Sequence, residues 1–361
     1  MDMYKKLQEM LDTHPAGAPP SDYFDQILRI LFSPEEAEAA CHLTFLLQPV
    51  SKLADKMGKD QQSLMEMLEG MADRGVVMAK KSESGEHRYS LLPVIPGLFE
   101  FPFMRAQRLP RREELAKLWH LYHTEALGNA FAGSATPQMR VIPVRKSVPM
   151  ITEVLLYEQV AEMIGKAKNI AVTNCACRES MQACDKPIEM CLAFDMGARF
   201  LAERDLGRLI DKDEALRILD YAEESGLVHC INNSMDRPVV ICNCCGCCCT
   251  ILRGITALKN PNAVAVSSYV VEYNAEECLG CFLCTDNRCP VTAVTENDDV
   301  AAVDASLCIG CGLCVSVCPT DALRMKKREE FATPPATSQE LALQVLKEKG
   351  KLEAFMKLNM G

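Results

Sequence analysis

The sequence predicts an α+β protein of several domains, on three observations. The first hundred residues read as helices followed by a short hairpin. The middle alternates helices with short apolar strands, and the C-terminal part repeats a cysteine pattern at an interval of about thirty residues. The 361 residues, 48% hydrophobic and 24% charged, supply more than one core and exclude disorder for most of the chain. The most apolar loop-like stretch, Leu91 to Phe103, is broken by Pro93, Pro96 and Pro102 and carries Glu100. It falls far short of the ~20 clean apolar residues of a membrane span. Met1 to Met10 holds Asp2, Lys5, Lys6 and Glu9, with no apolar core of a secretory signal. A formal net charge of −10 argues against nucleic acid or an anionic membrane as the main partner.

Residues 1–105 form the first expected domain. Tyr23, Ile27, Ile30 and Leu31 recur at helical spacing, and Ser33-Pro34-Glu35-Glu36 reads as a cap, a proline in the first turn and acidic residues that favour a helix start. Ser51 caps a short helix. Asp60 caps another, with Leu64, Met67, Leu68 and Met71 as its apolar stripe. Gly75-Val-Val-Met-Ala79 and His87-Arg-Tyr-Ser-Leu91 flank the polar turn Ser82-Glu-Ser-Gly85, as in a hairpin. Three helices and a hairpin resemble a winged helix. Its second helix of the pair, Gln61 to Arg74, offers Glu66, Glu69 and Asp73 against a single Arg74, and residues 1–105 carry 11 Lys/Arg against 16 Asp/Glu. Phosphate contacts need cations facing the backbone, so the expected use is docking or dimerisation rather than DNA binding.

Residues 106–150 read as a basic, proline-punctuated connector with one helix, Arg111 to Leu127. Residues 151–270 form an α/β domain. Expected helices are Ile151 to Lys166, Ile188 to Glu203 and Asp213 to Glu224; expected strands are Asn169 to Thr173, Leu227 to Cys230, Pro238 to Cys242 and Ala263 to Val266. Residues 329–361 are a charged tail with an amphipathic helix near Gln339 to Leu358.

Cysteine is the outlier: 20 residues, 19 of them between Cys175 and Cys318. Neighbouring Cys are poorly placed to bridge one another, and a large chain without an export signal is expected in a reducing cytoplasm, so the natural use is metal ligation. The load of thiols suggests an anaerobic host. Cys41, between Ala40 and Leu43, reads as a core residue.

In residues 271–328, Cys278-x2-Cys281-x2-Cys284-x4-Cys289-Pro290 is followed by Cys308-x2-Cys311-x2-Cys314-x3-Cys318-Pro319. Ala275-Glu-Glu-Cys-Leu-Gly-Cys-Phe-Leu-Cys284 aligns with Ala305-Ser-Leu-Cys-Ile-Gly-Cys-Gly-Leu-Cys314. A four-iron cube needs four soft thiolate ligands, and three Cys at two-residue gaps wrap one loop around it. Gly280, Gly310 and Gly312 allow close backbone approach. This segment resembles the bacterial ferredoxin with two [4Fe–4S] clusters. In that motif class the fourth Cys of each run serves the other cluster. The resemblance therefore implies one cluster on Cys278, Cys281, Cys284 and Cys318, and a second on Cys308, Cys311, Cys314 and Cys289. The first run departs from the pattern, with four residues (285–288) before Cys289 instead of three. Asp286-Asn287 suits a turn that absorbs the extra residue. Zinc is the minor alternative, although paired zinc ribbons do not run C-x2-C-x2-C.

Eleven Cys lie between Cys175 and Cys249, in two groups: Cys175, Cys177, Cys184 and Cys191, then Cys230 and the run Cys242 to Cys249. If the strands before Cys175 and Cys242 share a sheet, both groups emerge at one end of it. Cys175, Cys177, Cys184, Cys191, Cys242, Cys244, Cys245, Cys247 and Cys248 are the candidate ligands of a further iron–sulfur cluster. Structural thiols or a reactive redox pair are the alternatives. Arg178 is a candidate donor to cluster sulfur or a surface ion pair, and His229 a candidate ligand or a packed side chain. The segment resembles large ferredoxin-domain proteins of anaerobic bacteria, and Cys244-Cys245-Gly246 resembles an element of heterodisulfide-reductase-type subunits that bind noncubane clusters.

No nucleotide or zinc-protease motif is present. The leading expectation is an electron carrier exchanging single electrons with a redox partner protein. A reductase or reductive activase centred on the middle Cys is the second, and a redox-sensing regulator the third.

Overall fold

The computed structural model describes residues 2–105, 109–147, 160–285 and 287–360. The expected helix from Ile151 and the turn residue Asp286 therefore fall partly or wholly outside the described residues.

The N-terminal region begins with helices α1 (Met3–Asp12), α2 (Asp22–Leu31) and α3 (Pro34–Ala40). Ser33 closes a reciprocal cap with Glu36 at the start of α3, as the sequence predicts. Strand β1 (Gln48–Pro49), α4 (Val50–Met57) and α5 (Gln61–Asp73) lead to the hairpin β2 (Val77–Lys81) and β3 (His87–Leu91), in a three-stranded sheet of order β1-β3-β2. Cys41 is buried at the end of α3, as expected of a core residue.

The chain then runs through α6 (Glu100–Met104) and α7 (Arg112–Tyr122). After one wider turn it ends in α8 (Gly128–Phe131), beyond the expected stop at Leu127. Phe24 stacks on Tyr122 at 4.6 Å between ring centres, and Trp119 packs edge-on against Phe99. Burial of such rings contributes about 2–3 kcal/mol each, which locks α7 onto the N-terminal helices. The segment read as a connector is therefore structural. Its strand β4 (Met139–Ile142) pairs with a strand of the middle region.

The middle region contains α9 (Val160–Lys166), β5 (Ile170–Asn174), α10 (Ala176–Met181), β6 (Glu189–Phe194), α11 (Asp195–Glu203), β7 (Arg208–Ile210), α12 (Lys212–Glu224), β8 (Val228–Asn232), β9 (Val240–Cys244) and α13 (Thr250–Thr256). Six strands form one antiparallel sheet of order β4-β8-β9-β6-β5-β7. Two expectations are corrected here. The helix expected over Ile188 to Glu203 is a strand followed by a helix. Met190, Leu192 and Phe194 are buried on one face of β6, an alternation that only a strand provides. The strand expected over Ala263 to Val266 makes only one isolated bridge, Arg140 to Ala265. Because β6 lies antiparallel between β5 and β9, those two strands run parallel, and their C-terminal ends emerge together.

The C-terminal part pairs β10 (Tyr269–Tyr273) with β13 (Leu323–Lys327), and β11 (Val294–Asn297) with β12 (Val300–Val303). The tail helix is broken at Gly350, where φ is +66°, into α14 (Ser338–Glu348) and α15 (Leu352–Met360). It returns to the N-terminal region: Lys351 pairs with Asp12 at 2.7 Å, and Phe355 stacks on Phe45.

The acidic side of α5 is committed to the middle region. Arg204, at the end of α11, reaches Glu69 and Asp73 at 2.7 Å each, and Tyr89 donates to Glu69 at 2.6 Å. Burial pushes the Glu69 carboxyl up, but hydrogen bonds from Arg204, Tyr89 and His87 outweigh it and hold the group near about 2. That is below its ordinary 4.5, so its stabilisation is present above about pH 4.5 and is lost as the pH falls through about 2. Glu69→Gln should lower stability at pH 7 by about 1–2 kcal/mol after allowance for solvent screening. It should also flatten the acid limb of a urea-midpoint profile against pH; coincident wild-type and variant profiles would contradict this.

Candidate metal centres

The eight Cys of the repeat line two separate cavities. Cys278, Cys281, Cys284 and Cys318 surround one, together with Leu279, Phe282 and Leu283. Cys289, Cys308, Cys311 and Cys314 surround the other, with Arg288, Ile309 and Met325. Each cavity thus takes three Cys from one loop and the fourth from the other run. Backbone N–H groups point at these sulfurs: Gly310 donates to Cys308 at 3.4 Å and Ala293 to Cys289 at 3.2 Å. Donors from Ala301 and Gly280 hold the Cys278 thiol below its ordinary value, the electrostatics a thiolate ligand needs. Burial pushes Cys284 up to about 11 and Cys311 to about 12.

The extra residue of the first run is absorbed in a turn. Cys289 N donates to Thr285 O at 2.9 Å, and Asn287 adopts φ +61°, so Cys289 still reaches the second cavity. Arg288 fixes that turn through Leu313 O, Ser316 Oγ and Glu224 O at 2.7–3.1 Å, tying it to the end of α12. Gly310 has φ +72°, and a Cβ there would lie 2.2 Å from Tyr269 O.

The middle Cys sort into two groups that the run Cys242 to Cys249 interleaves. The first is a closed ring: Cys175 interacts with Cys177 and Cys191, Cys191 with Cys242, Cys242 with Cys244, Cys244 with Cys249, and Cys249 with Cys177. The sheet explains it. Cys230 and Cys242 sit opposite each other on β8 and β9, Cys191 lies on the neighbouring β6, and Cys175 and Cys249 follow the ends of β5 and β9. Cys230 also meets Cys244 and lies in the same core as Cys311 of the second cavity. The second group is Cys184, Cys245, Cys247 and Cys248, whose sulfurs all lie within 4.8 Å of one another.

Cys249 and Cys230 stood outside the nine expected ligands. The signal for Cys249 was its place in the same run; that for Cys230 was strand register, which spacing alone does not give. Arg178 is 1% exposed and donates to Asn243 O at 2.8 Å, with Cys175, Cys191 and Cys245 beside its charge, so it is not a surface ion pair. His229 is buried with Nδ1 2.6 Å from Asn243 Oδ1 and Nε2 3.3 Å from Glu223. Both ring nitrogens are occupied, and Asn243 and His229 share the sheet face opposite Cys242 and Cys244. The ligand reading of His229 is thereby corrected.

The thiols of the ring crowd one another, and that crowding with burial pushes Cys177, Cys191, Cys242 and Cys249 well up from their ordinary value. Cys175 alone is held down, by thiols donated from Cys177 and Cys191 and by Arg178. A set of this kind becomes a set of thiolates only around a cationic metal centre, so the donor chemistry fits an iron–sulfur group.

Residues 301–324 match the family described as the 4Fe-4S binding domain. No curated protein and no solved structure matches the chain. With the cysteines, the match makes this an iron–sulfur protein with at least one [4Fe–4S] cluster. Among the described residues no helix is long and apolar enough to cross a membrane. Gly310→Ala should lower stability by roughly 1–3 kcal/mol through the left-handed strain and the clash with Tyr269. Anaerobic denaturation with an unchanged midpoint would contradict that assignment.

Proposed function

We propose that the chain is a multicentre electron-transfer protein passing single electrons to or from an oxidoreductase partner. In this reading Cys278, Cys281, Cys284 and Cys318 hold one [4Fe–4S] cluster, and Cys308, Cys311, Cys314 and Cys289 hold a second. The ring of Cys175, Cys177, Cys191, Cys242, Cys244 and Cys249 supplies the ligands of a further cluster. Such clusters, when bound, supply one-electron exchange at potentials set by hydrogen bonds and burial.

The observation that carries the reading is the serial placement of the three Cys sets. Cys284 of the first quartet packs in one small core with Cys314 of the second, and Cys311 of the second shares a core with Cys230 beside the ring. The two ends differ in access. Leu279 and Leu283 around the first quartet are 71% and 58% exposed, and Cys281 is exposed with them. Apolar side chains at that edge suit transient contact with a redox partner. At the other end Cys175, Cys244 and Cys249 are buried against the sheet. Backbone contacts hold the halves in register: Val144 N donates to Cys311 O at 2.9 Å, and Gly246 lies so close to Pro290 that a Cβ would meet its carbonyl at 2.1 Å.

A winged-helix reading of the N-terminal region as a docking module is supported by its order of helices and hairpin. The engagement of Glu69 and Asp73 by Arg204 speaks against a DNA-reading use of α5. A gel-shift series should show no retardation of duplex DNA in either redox state.

Iron, acid-labile sulfide and the EPR spectrum of the dithionite-reduced, anaerobically purified chain test the main reading. About twelve sulfides per chain are expected, falling by about four in Cys311→Ser. About eight in the wild type would leave the ring without a cluster. A colourless, sulfide-free protein would overturn the whole assignment.

A further inference from the structure

We propose that Cys184, Cys245, Cys247 and Cys248 form a mononuclear site for one tetrahedral metal ion, zinc or iron, separate from every iron–sulfur cluster of the chain. The geometry is the main argument. Cys184 Sγ lies 3.8 Å from the sulfurs of both Cys245 and Cys248, and Cys247 Sγ lies 3.8 Å from that of Cys248. A single ion bound tetrahedrally at about 2.3 Å from each thiolate separates the sulfurs by about 3.8 Å. A four-iron cube inserts its own body between the ligands and drives them much further apart. Among the described residues, no other group of three or more metal-binding side chains closes to within 4.8 Å, the two ferredoxin-type quartets included.

The surroundings agree with an ion of this kind. Four thiolates around a divalent ion carry a net double negative charge. The Arg178 guanidinium stands beside Cys245, so a positive charge faces the site. Met190, Ala222 and Leu227 pack behind Cys245 and Cys248, so the inner side is dry, whereas Cys247 is exposed and gives the ion a way in. Cys184 comes from the loop between α10 and β6, and the other three from the turn after β9. The ion would therefore clasp two loops that the Ala183 N–H already links through the Cys248 sulfur. Gly246 allows the turn to press on Pro290, which places the clasp against the C-terminal half.

The site stands apart from the ring, since no ring sulfur belongs to it, and its test separates the two. The full chain is purified without oxygen as wild type, Cys184→Ser and Cys247→Ser, the last a substitution at an exposed position that leaves the packed side intact. Metals are quantified by mass spectrometry and sulfide by acid release. Each variant should lose one zinc or one iron per chain with sulfide unchanged; zinc marks a structural clasp and iron an added one-electron centre. Loss of iron and sulfide together in equal amounts would overturn the proposal in favour of a cluster. Identical metal and sulfide content in all three proteins would overturn it in favour of free thiols. A failure of the electron-transfer reading appears separately, as missing sulfide in the wild type.

Discussion

The constraint on which this fold turns is the repulsion among sulfur atoms packed in a medium of low polarity. Six thiols in a ring, four more beside it and eight in the C-terminal half cannot ionise together without a compensating positive centre. Their ordinary value of 9.0 is pushed up almost everywhere they are buried, and the exceptions lie next to Arg178 or backbone donors. A metal centre resolves the conflict by binding the deprotonated form, so metal binding and folding are one free-energy balance in this half of the chain. The apolar N-terminal core, with its stacked Phe24 and Tyr122, is continuous with the packing around Cys230, Cys244, Cys249 and Cys311.

Secondary structure does the sorting. One intervening antiparallel strand makes β5 and β9 parallel, so their ends deliver two Cys groups to one place, while strand alternation sends His229 and Asn243 to the other face. The same alternation separates Cys242 and Cys244 from Asn243, and the turn at Gly246 then redirects Cys247 and Cys248 toward Cys184. A single dense run thereby contributes to two different groups of sulfurs. Its spacing alone looks redundant; its backbone path makes it a division of labour.

The ferredoxin-type segment was legible because ligand spacing there is local: three Cys in one loop and a nearby Pro define the site almost without tertiary information. Each of the two cavities is lined by three Cys of one run and the fourth of the other. The ring was only half legible. Cys175 and Cys242 could be placed from strands that precede them, but Cys191 sits in a strand hidden by a helical-looking composition around Met190 to Ala198. Cys230 depends on cross-strand register, which no local pattern encodes. The connector misled for a similar reason. Met139–Ile142 is a short edge strand in a basic, proline-rich stretch, and its pairing with β8 is a long-range choice. The charge of α5 is visible in the sequence, but its partner Arg204, well over a hundred residues away, lies beyond sequence reasoning.

Access explains why the centres are ordered as they are. An electron carrier must meet its partner at an edge where a centre lies close to solvent, yet a buried centre keeps its hydrogen bonds and polarity fixed while partners come and go. The exposed Leu279 and Leu283 frame the first kind of edge, and the sheet-backed ring provides the second kind of interior. Between them, the second quartet is joined to the middle region by Val144, Arg288 and the close approach of Gly246 to Pro290. A clasp at Cys184 and Cys245 would stiffen that junction from the other side of the same turn. In the proposed carrier the path from edge to interior would cross the chain where Val144, Arg288 and Gly246 tie its two parts together, which would keep the separation of the Cys sets fixed while the exposed edge meets a partner.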